Sequence, residues 1–328
     1  MTVPPLPAGH ETSSGGAAEV APPEGGSPGE PTSPDADLDE MTLLALAAQQ
    51  GDRAALEELC RRLQGPMYRL ALRFTGQPAD AEDAVQEVLV RLVTHLSSFE
   101  GRSRFTTWAY TVAVRQLLRT TRRAAETSVA GPDEFAAFLD RHVDDPHWRP
   151  EEEVLYQELC AEVRLSCTYG MLLCLTRQAR IAYLLGDLLG MSDVEGAQVC
   201  ETTPAAFRQR LARARATMRE VMGRRCGLVR ASNPCRCDRL VSASQDVGLL
   251  DPARPAFARH RGVDLPIAVD TIRDAAAELD LAVACSEVYR SDPRFSAPVQ
   301  VWSRLATAMP TLLEHRDPVP GTSPPKSG

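Results

Sequence analysis

The sequence predicts an all-α protein, and three observations carry that prediction. Aromatic residues make up only 5% of a chain that is 44% hydrophobic, which suits helical cores built from Leu, Val and Ala. Apolar positions recur at helical spacing, as in Leu43, Leu44 and Ala47, then Leu56, Leu59 and Leu63, then Met67, Leu70 and Phe74. No stretch shows the two-residue alternation of a strand-rich region.

With 328 residues the chain has room for two or three compact domains. Residues 1–40 hold eight acids and no Lys or Arg, so this Pro/Gly/Ser-rich tail carries the whole net charge of -8, and it is expected to be disordered. A helical domain is expected over 41–125, with Gly65-Pro66 and Gly76-Gln77-Pro78 separating its helices and Asp80 capping the third. Residues 126–153 read as an acidic linker broken by Pro132, Pro146 and Pro150. A second helical domain follows over 154–222. Residues 223–328 form a Cys-rich, largely helical extension with a disordered end, its helices expected near Asp264–Leu281 and Pro298–Leu313. Removing this extension after Met222 is expected to leave both upstream domains folded. The absence of a long apolar run or a basic-then-apolar leader points to a cytoplasmic chain with no membrane partner, and the nine cysteines read as reduced thiols.

In the first helical domain Val85, Val88, Leu89 and Leu92 make an inward stripe, while Asp80, Asp83 and Glu87 share an outward face. Spacing alone makes this a solvated helix face. The segment after it is less ordinary. The run Phe99-Glu-Gly-Arg-Ser-Arg-Phe-Thr-Thr-Trp-Ala-Tyr leads into a helix carrying Arg115, Arg119, Arg122 and Arg123, with six arginines and no acid between Gly101 and Ala125. Arginine tracks phosphates and aromatic rings stack on unpaired bases, so this composition fits separated DNA strands, although some of the rings must serve the core.

The second domain carries a helix-turn-helix pattern. Gly190 ends one helix, Ser192 with Glu195 can form a capping box, and Thr203-Pro204 is a strong helix start. Phe207, Leu211, Ala214 and Met218 then make a buried stripe and leave Arg208, Gln209, Arg213 and Arg215 pointing elsewhere, with Arg210 at the boundary. Ten arginines against Glu220 and Asp238 give residues 204–240 a local charge of +8, where a recognition helix would need it.

Asp80-Ala-Glu-Asp-Ala-Val-Gln-Glu, together with the Phe99–Tyr110 run, resembles the sigma-2 domain of the extracytoplasmic-function sigma factors of RNA polymerase. Leu175–Arg215 resembles their sigma-4 domain without a gap. The resemblance implies a sigma-2-like helical bundle and a sigma-4-like helix-turn-helix, acting in promoter recognition and transcription initiation without catalysis. The implied partners are core RNA polymerase, through its β′ clamp and β subunits, and promoter DNA, with room for a separate anti-sigma factor. Polymerase docking falls to Asp80, Asp83, Gln86 and Glu87. Minus-ten recognition falls to Arg102, Arg104, Trp108, Arg115, Arg119, Arg122 and Arg123, and minus-thirty-five recognition to Thr203, Arg208, Gln209, Arg210 and Arg213. The chain departs from the family pattern at Arg115 (usually Asn), Thr176 (Pro), Gly186 (Arg) and Gly196 (Ile). A mid-helix glycine such as Gly196 costs roughly 1 kcal/mol against Ala, which suggests a less rigid sigma-4 domain.

Two rival functions remain at this level: a stand-alone helix-turn-helix regulator, and a thiol or metal sensor built on sigma domains. The sensor reading rests on Cys226, Cys235 and Cys237, whose arginine-rich surroundings are expected to favour thiolates. Zinc is a weak candidate ligand, with His260 or Cys200 as a fourth donor, because the spacing lacks paired C-x-x-C motifs. Cys160, Cys167 and Cys174 fall on one helix face and read as core. The extension is expected to tune sigma activity in cis.

Overall fold

The computed structural model describes residues 39–120, 131–147 and 153–257, positions 272, 274 and 276, and most of 279–307. Within these residues the regular elements are helical, apart from isolated bridge positions, among them the parallel bridge between Cys226 and Cys235.

Four helices make the first group. α1 (Glu40–Gln49) is capped by Asp39, whose carboxylate accepts from Thr42 N at 2.9 Å. α2 (Arg53–Thr75) is capped in the same way by Asp52. It runs straight through Gly65-Pro66, where a break was expected. The apolar positions Leu59, Leu63, Met67 and Leu70 keep one face across the proline and all are buried, which outweighs the lost hydrogen bond. The helix stops at Gly76 instead. Its φ of +78° favours glycine, and a Cβ there would lie 2.8 Å from Leu173 Cδ1. α3 (Pro78–Thr94) is not capped by Asp80. Pro78 occupies the first helical position with Gln77 before it, so Asp80 lies in the first turn, where the helix dipole still favours a carboxylate. A short 3-10 turn (Leu96–Ser98) leads towards α4 (Phe105–Arg119).

The expected linker contains a helix, α5 (Pro132–Arg141). Pro132 starts this helix instead of breaking it. Asp133 and Glu134 fall in the first turn and Arg141 in the last, as the dipole prefers, while Ala136 and Leu139 are buried. α6 (Glu153–Leu173) and α7 (Arg177–Tyr183) come next. A π turn (Leu184–Leu188), α8 (Asp193–Val199) and α9 (Pro204–Arg225) then complete the helix-turn-helix region.

The extension contains α10 (Leu240–Asp246) and α11 (Leu281–Arg290), and the described positions from 299 to 307 are also helical. The helix expected up to Leu281 is interrupted at Leu279-Asp280, because Asp280 caps α11 by accepting from Ala282 N at 2.9 Å.

One contiguous apolar core runs from Ala45 to Leu305 through all these helices. Two arginines on α7 tie the groups together at helix ends. Arg180, 2% exposed, donates to Leu172 O at 2.9 Å, to Leu175 O at 3.2 Å and to Phe74 O, at the ends of α6 and α2. Arg177 donates to Leu117 O at 2.8 Å and Thr120 O at 2.6 Å at the end of α4. A guanidinium is well suited to this place, since the last carbonyls of a helix lack partners and carry partial negative charge.

Candidate nucleic-acid interface

α3 presents the expected two faces. Val85, Val88, Leu89 and Leu92 are buried, Asp83 and Glu87 are exposed, and Asp80 and Gln86 are half-buried. Glu87 is anchored: its Oε2 accepts from Nε2 of the buried Gln116 on α4 at 2.6 Å. Gln86 Oε1 accepts from Arg304 of the extension at 3.3 Å, a contact that sequence reasoning did not anticipate.

The loop before α4 is held at both ends. Gln49 Nε2 donates to Leu96 O and Phe99 O at 2.8 and 2.7 Å, and Phe105 N donates to Thr42 Oγ1 at 3.1 Å. Phe99, Phe105 and Trp108 form a ring cluster with centroids 5.2–5.8 Å apart. The two phenylalanines are core, whereas Trp108 is half-exposed at the rim, where an unstacked base could reach it. Arg102 and Arg104 are exposed beside it, with Arg102 paired to Glu100. Arg115 and Arg119 are exposed farther along α4; Arg122 and Arg123 lie outside the described residues. Arg115 grips both carboxylate oxygens of Glu201, in the turn between α8 and α9. That guanidinium holds the Glu201 carboxyl below the usual carboxylate range.

The helix-turn-helix is built as its sequence indicated. Gly190 takes φ +69°, Ser192 and Glu195 form the capping box, and Thr203 Oγ1 accepts from Ala206 N at 3.2 Å. Thr176, standing where the family usually has Pro, caps α7. The two unusual glycines each sit against a buried side chain of α9. A Cβ at Gly196 would lie 2.3 Å from Phe207 Cζ, and one at Gly186 would lie 2.7 Å from Leu211 Cδ2. Both allow α9 to approach closely, a packing role that glycine's low helix propensity does not show.

Arg208, Gln209 and Arg213 are exposed on α9, Arg210 is half-buried, and the exposed Thr203 is committed to capping. Arg208 lies 3.4 Å from Asp193. Much of the +8 charge is structural. Arg215 chelates Asp187, Arg225 chelates Asp140, and Arg236 donates to the carbonyls of Ala231 and Cys235. Arg239 donates to Val143 O. Net charge cannot distinguish such residues from free donors; a carboxylate within reach in the fold can.

The extension's cysteines depart from expectation. Cys167, Cys226, Cys235 and Cys237 line a void of about 20 Å³. Burial pushes all these thiols up, Cys235 to about 12, with neighbouring thiols adding to the effect at Cys167, Cys235 and Cys237. The nearby arginines therefore do not create thiolates, because desolvation dominates. Cys200 is the C-cap of α8, with its thiol raised to about 11, and His260 lies outside the described residues. Among the described residues, no three His, Cys, Asp or Glu side chains are grouped so as to hold a metal ion. Cys160 is buried as expected, while Cys167 and Cys174 are only partly so.

Comparison with known proteins decides the family. The Sigma-70 region 2 model matches residues 59–127, and the Sigma-70 region 4 model matches residues 165–218. The ECF RNA polymerase sigma factor SigC of Mycobacterium tuberculosis is 30% identical over 182 residues, covering 55% of this chain and 89% of that protein. The chain belongs to the extracytoplasmic-function sigma factors. Another similar protein is the RNA polymerase sigma-H factor of Pseudomonas aeruginosa, 29% identical over 51% of this chain and 86% of that protein. A solved structure of CnrH in complex with the cytosolic domain of CnrY matches at 24% identity and a TM-score of 0.38, covering 55% of this chain and 96% of that one. As a sigma factor, the protein directs promoter recognition and transcription initiation. A stand-alone regulator would leave the region 2 match unexplained. No helix among the described residues is long and apolar enough to cross a membrane.

Proposed function

We propose that this sigma factor docks on the β′ clamp of core polymerase through the α3 face bearing Asp80, Asp83, Gln86 and Glu87. The loop before α4, with Arg102 and Arg104, and Trp108, Arg115 and Arg119 on α4 take the minus-ten element. The exposed Arg208, Gln209 and Arg213 of α9 take the minus-thirty-five element, with Thr203 and Arg210 at its edge. The observation that carries this reading is the order of functional faces in one chain. An acidic face on α3 lies next to a basic helix with a tryptophan at its rim, and a separate capped helix then presents arginines to solvent. Such a protein works in the cytoplasm, bound to polymerase.

Asp83→Arg is the cleaner docking test, because Glu87 also anchors Gln116 and its replacement would disturb α4. Co-purification with core polymerase should be lost while helicity is retained. Undiminished co-purification refutes the docking face.

A further inference from the structure

The described part of the extension grips both DNA-reading halves at once. On the sigma-4 side, α11 packs along α9, Tyr289 OH donates to Thr168 O at 2.8 Å, and Arg290 donates to Asp187 O at 2.5 Å. On the sigma-2 side, Arg73 of α2 donates to Tyr289 O at 2.8 Å, and Arg69 donates to Phe295 O at 3.4 Å. Between the two sides, the buried Asp292 accepts from Arg164 at 2.9 Å and from Tyr169 at 3.2 Å, with Arg73 at 3.6 Å. Farther on, Arg304 reaches Gln86 on the face assigned to polymerase.

The sigma-2 basic helix is meanwhile packed directly on the sigma-4 half. α4 packs on α8, and Arg177 of α7 closes the end of α4. Arg115 commits its Nε and one terminal nitrogen to the two oxygens of Glu201, which closes that edge of its guanidinium to phosphate. Glu201 is, among the described residues, the one non-glycine with positive φ, at +51°.

We propose that the segment from Leu281 to Leu305 is an anti-sigma element carried in cis, clasping α2 and α3 to the helix-turn-helix so that polymerase and promoter engage only after it releases. This rests on the assignment of faces under Proposed function. A passive cap on sigma-4 would need only the contacts to α6, α9 and the π turn. The bonds to Arg69, Arg73 and Gln86 belong to the other half and serve only to join them. The outer contacts, Arg115–Glu201 and Arg304–Gln86, are exposed and therefore weak, so the hold on the sigma-2 half can release while the buried Asp292 stays on Arg164 and Tyr169 of α6.

The test uses the full chain and a variant carrying Arg73→Ala, Glu201→Ala and Arg304→Ala, none of them assigned to polymerase or DNA. Hydrogen exchange across α11 reports the clasp; affinity for core polymerase and run-off transcription report its effect. In the parent, α11 should lose protection when core polymerase is added. In the variant it should lose protection unaided, and polymerase binding should tighten on the order of 10-fold, since apparent affinity scales with the open fraction. Equal α11 protection in parent, variant and polymerase complex overturns the clasp. Opening without tighter binding or more transcript overturns its inhibitory role. Adding Asp83→Arg to the opened variant separates the two readings: if binding survives that change, the error lies in the α3 assignment and not in the clasp. Should the triple variant fail to fold, exchange in the parent with and without polymerase still decides.

Discussion

At the scale of single residues, the close approach of Phe207 to Gly196 reverses what helix propensity predicts. Propensity alone makes Gly196→Ala stabilising by roughly 1 kcal/mol. The structure puts the new methyl inside the fully buried Phe207 ring, and overpacking of this kind costs about 1–3 kcal/mol. Gly196→Ala should therefore lower the urea midpoint without changing the slope; a raised midpoint would refute the packing of α8 on α9. The cysteines give a second prediction. With its thiol at about 12, Cys235 is roughly one part in ten thousand thiolate at pH 8, so iodoacetamide should label it far more slowly than a thiol of the unfolded chain. Fast native labelling of Cys235, mapped by peptide mass, would restore the thiolate reading. Both properties were hidden in the sequence for one reason. Glycine propensity and local arginine count are one-dimensional quantities, whereas an approaching ring and the loss of solvent depend on residues far along the chain.

At the scale of elements, most of what is local was legible. The caps at Ser192 and Thr203, the stripe from Phe207 to Met218 and the inward face of α3 stand as their patterns indicated. Prolines were harder. Pro66, Pro78 and Pro132 all look like breaks in sequence, yet one lies inside a helix and two start one, a difference set by whether burial continues across them. Thr203→Ala should cost about 1 kcal/mol, because the Ala206 amide loses its acceptor at the start of α9. The same helix carries a functional prediction. The Arg208–Asp193 pair is exposed and adds at most about 1 kcal/mol, so Arg208→Ala should barely alter stability. If Arg208 and Arg213 touch phosphates, alanine at either weakens binding to all sequences and lowers the salt slope by about 1; a guanine contact instead costs about 1–3 kcal/mol at one base pair. Promoter affinity and salt slope unchanged in both variants would remove α9 from the promoter interface.

At the scale of the whole molecule, the separate domains suggested by the sequence share one core, and the charge that joins them is buried. Arg164 on α6 and Asp292 after α11 both have fully buried side chains, 2.9 Å apart, with Tyr169 and Arg73 completing the group. Sequence patterns could not show this, since 128 residues separate the pair and neither position is marked by periodicity. Against the expectation that cutting after Met222 leaves two intact domains, the cut should destabilise what remains. The cut removes Asp292 and α11, leaving Arg164 without its carboxylate in an apolar setting. Removing one member of a buried pair costs about 3–5 kcal/mol, whereas replacing both with apolar residues of similar size is often neutral or better. Asp292→Leu alone should thus be strongly destabilising, and Arg164→Met with Asp292→Leu should recover most of that loss. Chemical unfolding of the parent, the single variant and the double variant at pH 7 measures the coupling, and additive losses would show that the pair does not join the halves. Alkali should act separately through the thiols. Their acid form is favoured in the fold, Cys60, Cys174, Cys235 and Cys285 being raised from 9.0 to about 12. That contribution is complete below pH 9 and is lost as pH rises from 9 through 12, so the double variant should keep the parent's alkaline decline while differing from the single variant at neutral pH.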